Sequence, residues 1–361
     1  MRARLTLVAG VVLTSACLDP VASARRQGPA CVATHQAPCD NLDLRSELRS
    51  PTATAQPTWT RIMLPLDNAY GINDDGVVVG VVKNAAAYWA PGVRKVLHAP
   101  PAQPKSYVAT DVNELKAVVG LAWMGSNIYR ALYWKDLNTA AVDLGDLGGG
   151  RAEALAINDS GVVVGNSTLA ASPLDYHAFK WTAASGMKDI NPPGYTASVA
   201  LDVSNDGTIV GMAEYTGPGY KRAAVKWDPK GNITILAAGP STDVWGRGVD
   251  RAGTVAGMLF GRATLWAQNG TATYIGGSLQ ARAASRLSDV QRAVGYFYPS
   301  IGGVKPWTTR AGVETALLVG ATESGDATDV NTCGWVVGWS NYAAYNYRTA
   351  GTLWKPSTCD Q

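Results

Sequence analysis

The chain has 361 residues, including 39 Gly, 12 Trp and 15 Tyr but only 3 His, and its charged fraction is 16%. The formal net charge of +3, from 31 basic and 28 acidic residues, is too balanced for an electrostatic nucleic-acid binder. So few histidines leave little room for a histidine-based metal site, and we expect no metal or other cofactor.

The first 24 residues have the pattern of an export signal. Arg2 and Arg4 precede the apolar stretch Leu5–Ala16, which at 12 residues is too short to span a bilayer. Two processing sites compete: a lipobox-like sequence that ends at Cys17, which would then be lipidated, and an Ala-Ser-Ala cleavage site that ends at Ala24. Either site predicts an extracytoplasmic protein, which is secreted or held at the outer membrane or cell surface through a lipid anchor alone.

Four cysteines remain after this leader, and in an exported chain they predict two disulfides. Three pairings are open, and we favour the two with partners close in sequence. These join Cys31 to Cys39 and Cys333 to Cys359. Residues 25–58 are rich in Ala, Gln, Pro, Thr and Ser without an apolar period, so we expect a tether that the first disulfide pins.

From residue 59 to residue 361 the chain repeats itself. A glycine that ends a Val-rich run, called the marker glycine below, recurs every 38 to 46 residues. The seven marker glycines are Gly80, Gly120, Gly165, Gly211, Gly257, Gly295 and Gly338. Each is followed by a tryptophan: Trp89, Trp134, Trp181, Trp227, Trp266, Trp307 and Trp354.

Other positions of the repeat align with the marker. A small residue lies eleven positions before it, Asn, Ser or Asp lies seven before it, and Gly lies four before it in five copies. The Asx residue and the Gly predict a turn between two strands, and the segment around each Trp predicts a second hairpin. Four strands in a unit of about 43 residues are typical of a β-propeller blade, so the repeats predict an all-β, seven-bladed propeller.

The two ends of the repeat region predict how the ring closes. The last copy stops after its third strand at Trp354, and an unmatched strand-like segment, residues 59–66, precedes the first copy. We expect this N-terminal segment to supply the outer strand of the last blade, which would leave only short, protected edges.

The third copy carries a resemblance to a known family. Its sequence GDLGGGRAEALAINDSGVVVG, followed by His177, Ala178 and Phe179, resembles the HAF family of extracellular repeat proteins, named for that triplet. The resemblance covers residues of about 59 to 358, although other copies lack the triplet. It implies an exported bacterial protein with a propeller fold and implies no activity.

Three aspartates occupy one position of the repeat. Asp111, Asp202 and Asp329 each lie nine residues before a marker glycine. On the innermost strands they would point toward the propeller axis and bind a cation or a polar ligand, or else bond the backbone of neighbouring blades.

Aromatic residues are concentrated in the loops between the Val-rich strand and the Trp strand. These residues are Trp123, Tyr129, Tyr176, Tyr215, Tyr220, Tyr296, Tyr298, Trp339, Tyr342, Tyr345 and Tyr347. In a propeller such loops share one face, where flat rings suit stacking on sugars or gripping a protein.

Three functions follow, in order of preference. The first is a non-enzymatic binding module, expected to be monomeric, that holds a polysaccharide or a protein on its aromatic loops. The second is a glycan-acting hydrolase or lyase with axial carboxylates, and the third is a structural envelope protein.

Overall fold

The computed structural model describes residues 57–359, apart from 173–174, 241–242, 276–280, 300–302, 311–312, 318, 320–322 and 342–348. Within these residues the chain forms seven antiparallel sheets of four strands each. The sheets are the blades of a seven-bladed β-propeller, which confirms the predicted fold. The predicted export signal, the predicted lipidation site at Cys17, most of the predicted tether and the predicted Cys31–Cys39 pairing lie outside the described residues.

Each blade is named here by its order along the chain. Blade 1 contains β2 (Asn68–Ile72), β3 (Val78–Val82), β4 (Ala85–Ala90) and β5 (Val93–Val96). Blade 2 contains β6 (Ser106–Val112), β7 (Val118–Gly125), β8 (Ile128–Trp134) and β9 (Val142–Asp143). Blade 3 contains β10 (Gly148–Ile157), β11 (Val163–Leu169), β12 (Tyr176–Thr182) and β13 (Gly186–Asp189). Blade 4 contains β14 (Ala197–Val203), β15 (Ile209–Tyr215), β16 (Lys221–Trp227) and β17 (Ile233–Gly239). Blade 5 contains β18 (Val244–Val249), β19 (Val255–Leu259), β20 (Arg262–Trp266) and β21 (Ala272–Tyr274). Blade 6 contains β22 (Ala281–Leu287), β23 (Arg292–Phe297), β24 (Lys305–Arg310) and β25 (Val313–Ala316). Blade 7 contains β26 (Gly325–Val330), β27 (Val336–Asn341), β28 (Thr349–Pro356) and β1 (Trp59–Met63).

The first and last strands of the chain close the ring. Strand β1 pairs antiparallel with β28, from Trp59 opposite Pro356 to Met63 opposite Thr352. The N-terminal segment therefore completes blade 7, as the unmatched strand in the sequence predicted.

The hydrophobic core lies between the faces of adjacent blades, and the repeat tryptophans occupy its centre. Trp134, Trp266, Trp307 and Trp354 are fully buried. The Nε1 of Trp134 donates to the carbonyl oxygen of His98 at 2.8 Å, which joins blade 2 to the end of blade 1. The recurring Trp of the sequence is therefore a core residue rather than a site residue.

Every inner strand contains a β-bulge at the same place. The small residue of the repeat pairs with the marker glycine, as Ala154 does with Gly165, and the register shifts immediately afterwards. A bulge changes the direction of the side chains that follow it. The position nine residues before the marker, directly after the bulge, is thereby directed toward the propeller axis.

The four asparagines at the Asx position each bond their blade to the next. The Oδ1 of Asn158 accepts the backbone N–H of Val162 inside its own turn at 2.9 Å, and its Nδ2 donates to the carbonyl oxygen of Ser204 in blade 4 at 2.9 Å. Asn73, Asn113 and Asn331 repeat both bonds in blades 1, 2 and 7. The turn is completed by a residue with positive φ, which is Gly in the five copies that contain it and Lys116 or Gln291 in the others.

Blade 5 has aspartate at the Asx position, so its turn lacks the amide N–H that donates to the next blade. The Oδ1 of Asp250 accepts from the Thr254 backbone at 2.8 Å, as the asparagines do, but its buried Oδ2 has no hydrogen-bond partner among the described residues. Where asparagine would donate to blade 6, this oxygen can donate only when protonated. Burial raises the pKa of Asp250, and the charge of Asp289 adds to the rise.

We expect Asp250→Asn to raise the free energy of unfolding by about 1 kcal/mol, because an amide can donate to the next blade. A carboxyl with a raised pKa holds its proton more tightly in the folded state, so its contribution to stability falls as pH rises. The gain should therefore be larger at pH 8 than at pH 4. Urea unfolding at both pH values measures it, and the reverse exchange Asn158→Asp should lower stability. A destabilised Asp250→Asn variant would contradict the expectation.

Two further features complete the fold. Cys333 and Cys359 are bonded in the structure, with their Cα atoms 4.4 Å apart, which ties the Asx turn of blade 7 to the segment after β28. Within the described part of the chain there is no helix that is long and apolar enough to cross a membrane.

Candidate binding site

The strand order gives the propeller two different faces. Each inner strand starts where the chain arrives from the preceding blade and ends at its Asx turn. The blade-to-blade connections and the loops between second and third strands therefore share one end, the loop face. The Asx turns form the opposite end, the turn face.

Near the turn face, the axis is filled by an ion cluster built from four blades. The Arg286 guanidinium lies 3.2 Å from a carboxylate oxygen of Asp111 and 3.4 Å from one of Asp329, and it also contacts Asp202. Arg286 lies nine residues before Gly295, so all four residues occupy the same position of the repeat. The cation that the aspartates bind is thus an arginine of the same chain.

The same three aspartates also join neighbouring blades. Asp111 accepts the backbone N–H groups of Val112 and, in the next blade, Ile157, both at 2.9 Å. Asp202 and Asp329 make the equivalent bonds to blades 5 and 1. Their carboxylates therefore bond the backbone of their own and neighbouring blades, which was the second of the two roles considered from the sequence.

Burial has opposite consequences for the two kinds of charge in this cluster. Burial raises the pKa of Asp111 to about 6 and that of Asp329 to about 7, against the opposing effects of Arg286 and the backbone donors. For Arg286, burial favours the neutral form, but the three carboxylates outweigh it and the pKa of the guanidinium is raised. The arginine stays charged, whereas Asp111 and Asp329 become harder to ionise.

A cavity of about 150 Å³ opens at the axis on the turn face above these residues. Its rim carries Glu114, Asp159 and Asp289, and each carboxylate accepts a backbone N–H from the preceding blade. The described residues contain no group of three or more His, Cys, Asp or Glu side chains arranged to hold a metal ion. The acidic groups here act as links between blades.

On the loop face, residues from blades 5, 6 and 7 form what we call the inner loop-face cluster: Trp245, Arg247, Tyr296, Tyr298 and Asp326. The guanidinium carbon of Arg247 lies 4.4 Å from the centre of the Trp245 ring, which suits a cation–π contact. The rings of Tyr296 and Tyr298 meet edge to face with their centres 5.8 Å apart. Trp245 packs against the buried group that contains Tyr296, and the charges of Arg247 and Asp326 both act on the Tyr296 hydroxyl.

Three buried polar atoms in this cluster lack hydrogen-bond partners among the described residues. They are the Oδ1 of Asp326, the Nε of Arg247 and the Nε1 of Trp245. Asp326 is only 9% exposed. Buried donors and acceptors are almost always paired, since an unmade bond costs about 1–3 kcal/mol. Among the described residues, two donors and one acceptor are therefore buried and unpaired at the inner end of the loop face.

The electrostatics of the cluster are close to balanced. Burial raises the pKa of Asp326 to about 7, while Arg247 acts in the opposite direction. Beside them, Arg222 pairs with the buried Glu214 and lies 5.5 Å from the Trp245 ring. Positive and negative groups therefore alternate, and neither sign dominates the site.

Seven of the eleven predicted aromatic residues fall into three groups. Tyr296 and Tyr298 belong to the cluster, and Trp339 lies directly opposite Asp326 in the paired strands of blade 7. Trp123 lies in blade 2, 38% exposed and with Lys105 Nζ 5.4 Å from its ring centre, and no described contact joins it to the cluster. Tyr342, Tyr345 and Tyr347 lie outside the described residues.

Sequence reasoning missed Trp245, Arg247 and Asp326. Trp245 and Asp326 share one position, twelve residues before the marker glycine, where the repeat otherwise places residues without a common chemistry. A second signal was available: both precede the small residue of an inner strand, which brings them to the axis at the loop face.

Solved structures similar to this chain are propellers of low identity. A chain of the mitotic checkpoint complex matches with a TM-score of 0.50 and 11% identity, covering 85% of this chain and 97% of that one. YCF48 from Cyanidioschyzon merolae matches with a TM-score of 0.49 and 10% identity, covering 82% and 98%. TolB from Acinetobacter baumannii matches with a TM-score of 0.45 and 12% identity, covering 68% of this chain and 64% of TolB. The match thus spans less than two thirds of the length of TolB. No family model and no curated protein matches the chain, and the structural similarities concern the fold alone.

Proposed function

We propose that this chain is a non-enzymatic binding module, exported by a bacterium, that holds a polysaccharide or a protein on its loop face. The observation that carries the proposal is the set of buried, unpaired polar atoms of Trp245, Arg247 and Asp326 beside two tyrosine rings. Membership of the HAF family, export through the N-terminal signal and anchoring at Cys17 are parts of the same proposal.

The hydrolase or lyase alternative required free carboxylates at the axis. Asp111, Asp202 and Asp329 hold Arg286 and the backbones of neighbouring blades instead. A carboxylate engaged in this way is a poor general acid or nucleophile, because the reaction would have to break the bonds that hold the blades together. For this reason we propose a binding function rather than a catalytic one.

The proposal is tested by thermal unfolding of the mature chain with soluble glycans, peptidoglycan fragments and a set of peptides. A ligand that binds the folded state raises the melting temperature by mass action. We expect at least one probe to raise it for the wild type and not for Tyr298→Ala, since Tyr298 is 45% exposed within the cluster. Tyr274→Ala is the matched control, because Tyr274 is 43% exposed but lies on the outer strand of blade 5. A probe whose effect survives Tyr298→Ala but is lost in Tyr274→Ala would contradict the loop-face assignment, and no shift with any probe would contradict the binding function.

A further inference from the structure

Within the proposed function, on which this step rests, we infer that the inner loop-face cluster binds an uncharged sugar unit of a glycan through its hydroxyl groups. The donor and acceptor types of the unpaired atoms select this chemical class. The cluster leaves open two N–H donors, on Arg247 and Trp245, and one carboxylate acceptor, on Asp326.

A sugar hydroxyl is both a donor and an acceptor, so hydroxyls alone can bond both the two N–H donors and the carboxylate oxygen. A carboxylate or phosphate ligand would satisfy only the two donors and would approach the buried charge of Asp326. A primary ammonium would satisfy only Asp326 and would approach Arg247. Because each ionic ligand leaves at least one buried group unpaired, it loses the corresponding free energy.

The charges surrounding the cluster also favour a neutral ligand over an ionic one. Arg247 lies near Asp326, and Arg222 is bonded to Glu214, so each cation has an acidic neighbour. The carboxyl of Asp243 adds negative charge near Tyr296. An ionic ligand would gain little from a site in which both signs are already compensated, whereas the hydrogen bonds of a neutral ligand are strengthened by the charged partners.

The aromatic residues supply the second half of sugar recognition. Tyr298 is 45% exposed, and its ring meets that of the buried Tyr296 edge to face. An exposed ring beside a set of buried polar groups lets the C–H face of a sugar pack on the ring while its hydroxyl edge reaches the polar atoms.

The cluster lowers the free energy of unfolding, as expected of residues that serve binding rather than stability. Asp326 is a buried carboxyl without a partner for Oδ1, and its pKa is raised, so its ionised form destabilises the fold at pH 8. Removing it should therefore stabilise the chain and weaken binding together. A residue with only a structural role would not give that combination.

The test compares two oligosaccharides of matched length by calorimetric titration of the mature chain at pH 8: a neutral hexose oligomer and a hexuronate oligomer. We expect the neutral oligomer of at least one hexose series to bind at least 10-fold more tightly than its hexuronate counterpart. Asp326→Ala should weaken that binding at least 10-fold while raising the melting temperature of the free protein. Tyr274→Ala should leave both quantities unchanged.

Different experimental results would contradict the sugar inference and the proposed function. Equal or tighter binding of a charged oligomer, or binding only of peptides, with loss in Tyr298→Ala, would overturn the sugar assignment and keep the loop face as a binding site. Neutral binding that Asp326→Ala does not weaken would also overturn the assignment. If neither oligosaccharides nor peptides bind, the proposed function itself fails.

Discussion

Replacing Arg286 with leucine is expected to lower the free energy of unfolding by about 3–5 kcal/mol at pH 8, since it leaves buried charges uncompensated. The guanidinium contacts Asp111, Asp202 and Asp329, and each of these carboxylates also bonds two blades together. Without Arg286 the three carboxylates repel one another at the axis. Urea unfolding, with the midpoint and slope measured separately, gives the loss.

The pH dependence of that loss follows from the direction of the pKa shifts. Asp111 and Asp329 titrate at about 6 and 7, above the ordinary range of an aspartate, so their ionisation reduces stability as pH rises through those values. Removing the cation raises both pKa values further. We therefore expect the loss in Arg286→Leu to be smaller at pH 5, where protons replace the guanidinium, than at pH 8.

A matched arginine on the surface supplies the control. The side chain of Arg251 is 68% exposed, and its Nε lies 3.9 Å from Asp289. Such pairs contribute about 0–1 kcal/mol, so Arg251→Leu should change stability little. If Arg286→Leu lost no more than Arg251→Leu, the axial cluster would not hold the blades together.

The second large effect is expected at a marker glycine. A Cβ added at Gly165 would lie 1.9 Å from the carbonyl oxygen of Glu153 and 3.0 Å from a ring carbon of Phe179. Neither the backbone of the inner strand nor the core ring can move without disturbing the bulge. We expect Gly165→Ala to lower the free energy of unfolding by about 3 kcal/mol, measured by the shift of the urea midpoint.

Gly161, in the turn that precedes β11, separates this steric effect from a conformational one. It has a φ of +74°, and a Cβ there would meet no atom within 4 Å. Gly161→Ala should therefore lower stability by about 1–2 kcal/mol through its left-handed backbone alone. Equal losses in the two variants would show that close approach is not why the marker position is glycine.

The fold was largely predictable because the sequence repeats. Seven marker glycines and seven tryptophans set the blade count, and the unpaired segment ahead of the first copy predicted the closure by β1. The Asx residues and the Gly three positions later predicted the turns, which have the expected positive φ. Each of these features is local in sequence, so it can be recognised in a single amino-acid sequence.

The candidate site was less predictable because it depends on the bulge of the inner strands. An extra residue in a strand leaves no periodic signal, yet it determines which side chains reach the axis. The aspartates were recognised by their shared position, but Arg286 in that same position was overlooked because its chemistry differs. Asp326, Arg247 and Trp245 come from blades 5 and 7 and are brought together only when these blades pack on either side of blade 6.

The pairing of β1 with β28 has a consequence for how the chain reaches its folded state during synthesis. The strand that emerges first needs a partner that emerges last, so blade 7 stays incomplete until nearly all of the chain is available. Contacts between such distant residues slow folding, and open strand edges favour aggregation in the meantime. A circular permutant that joins residue 359 to residue 58 and opens a blade-to-blade connection would make this closure local, and it should refold faster with the same strands.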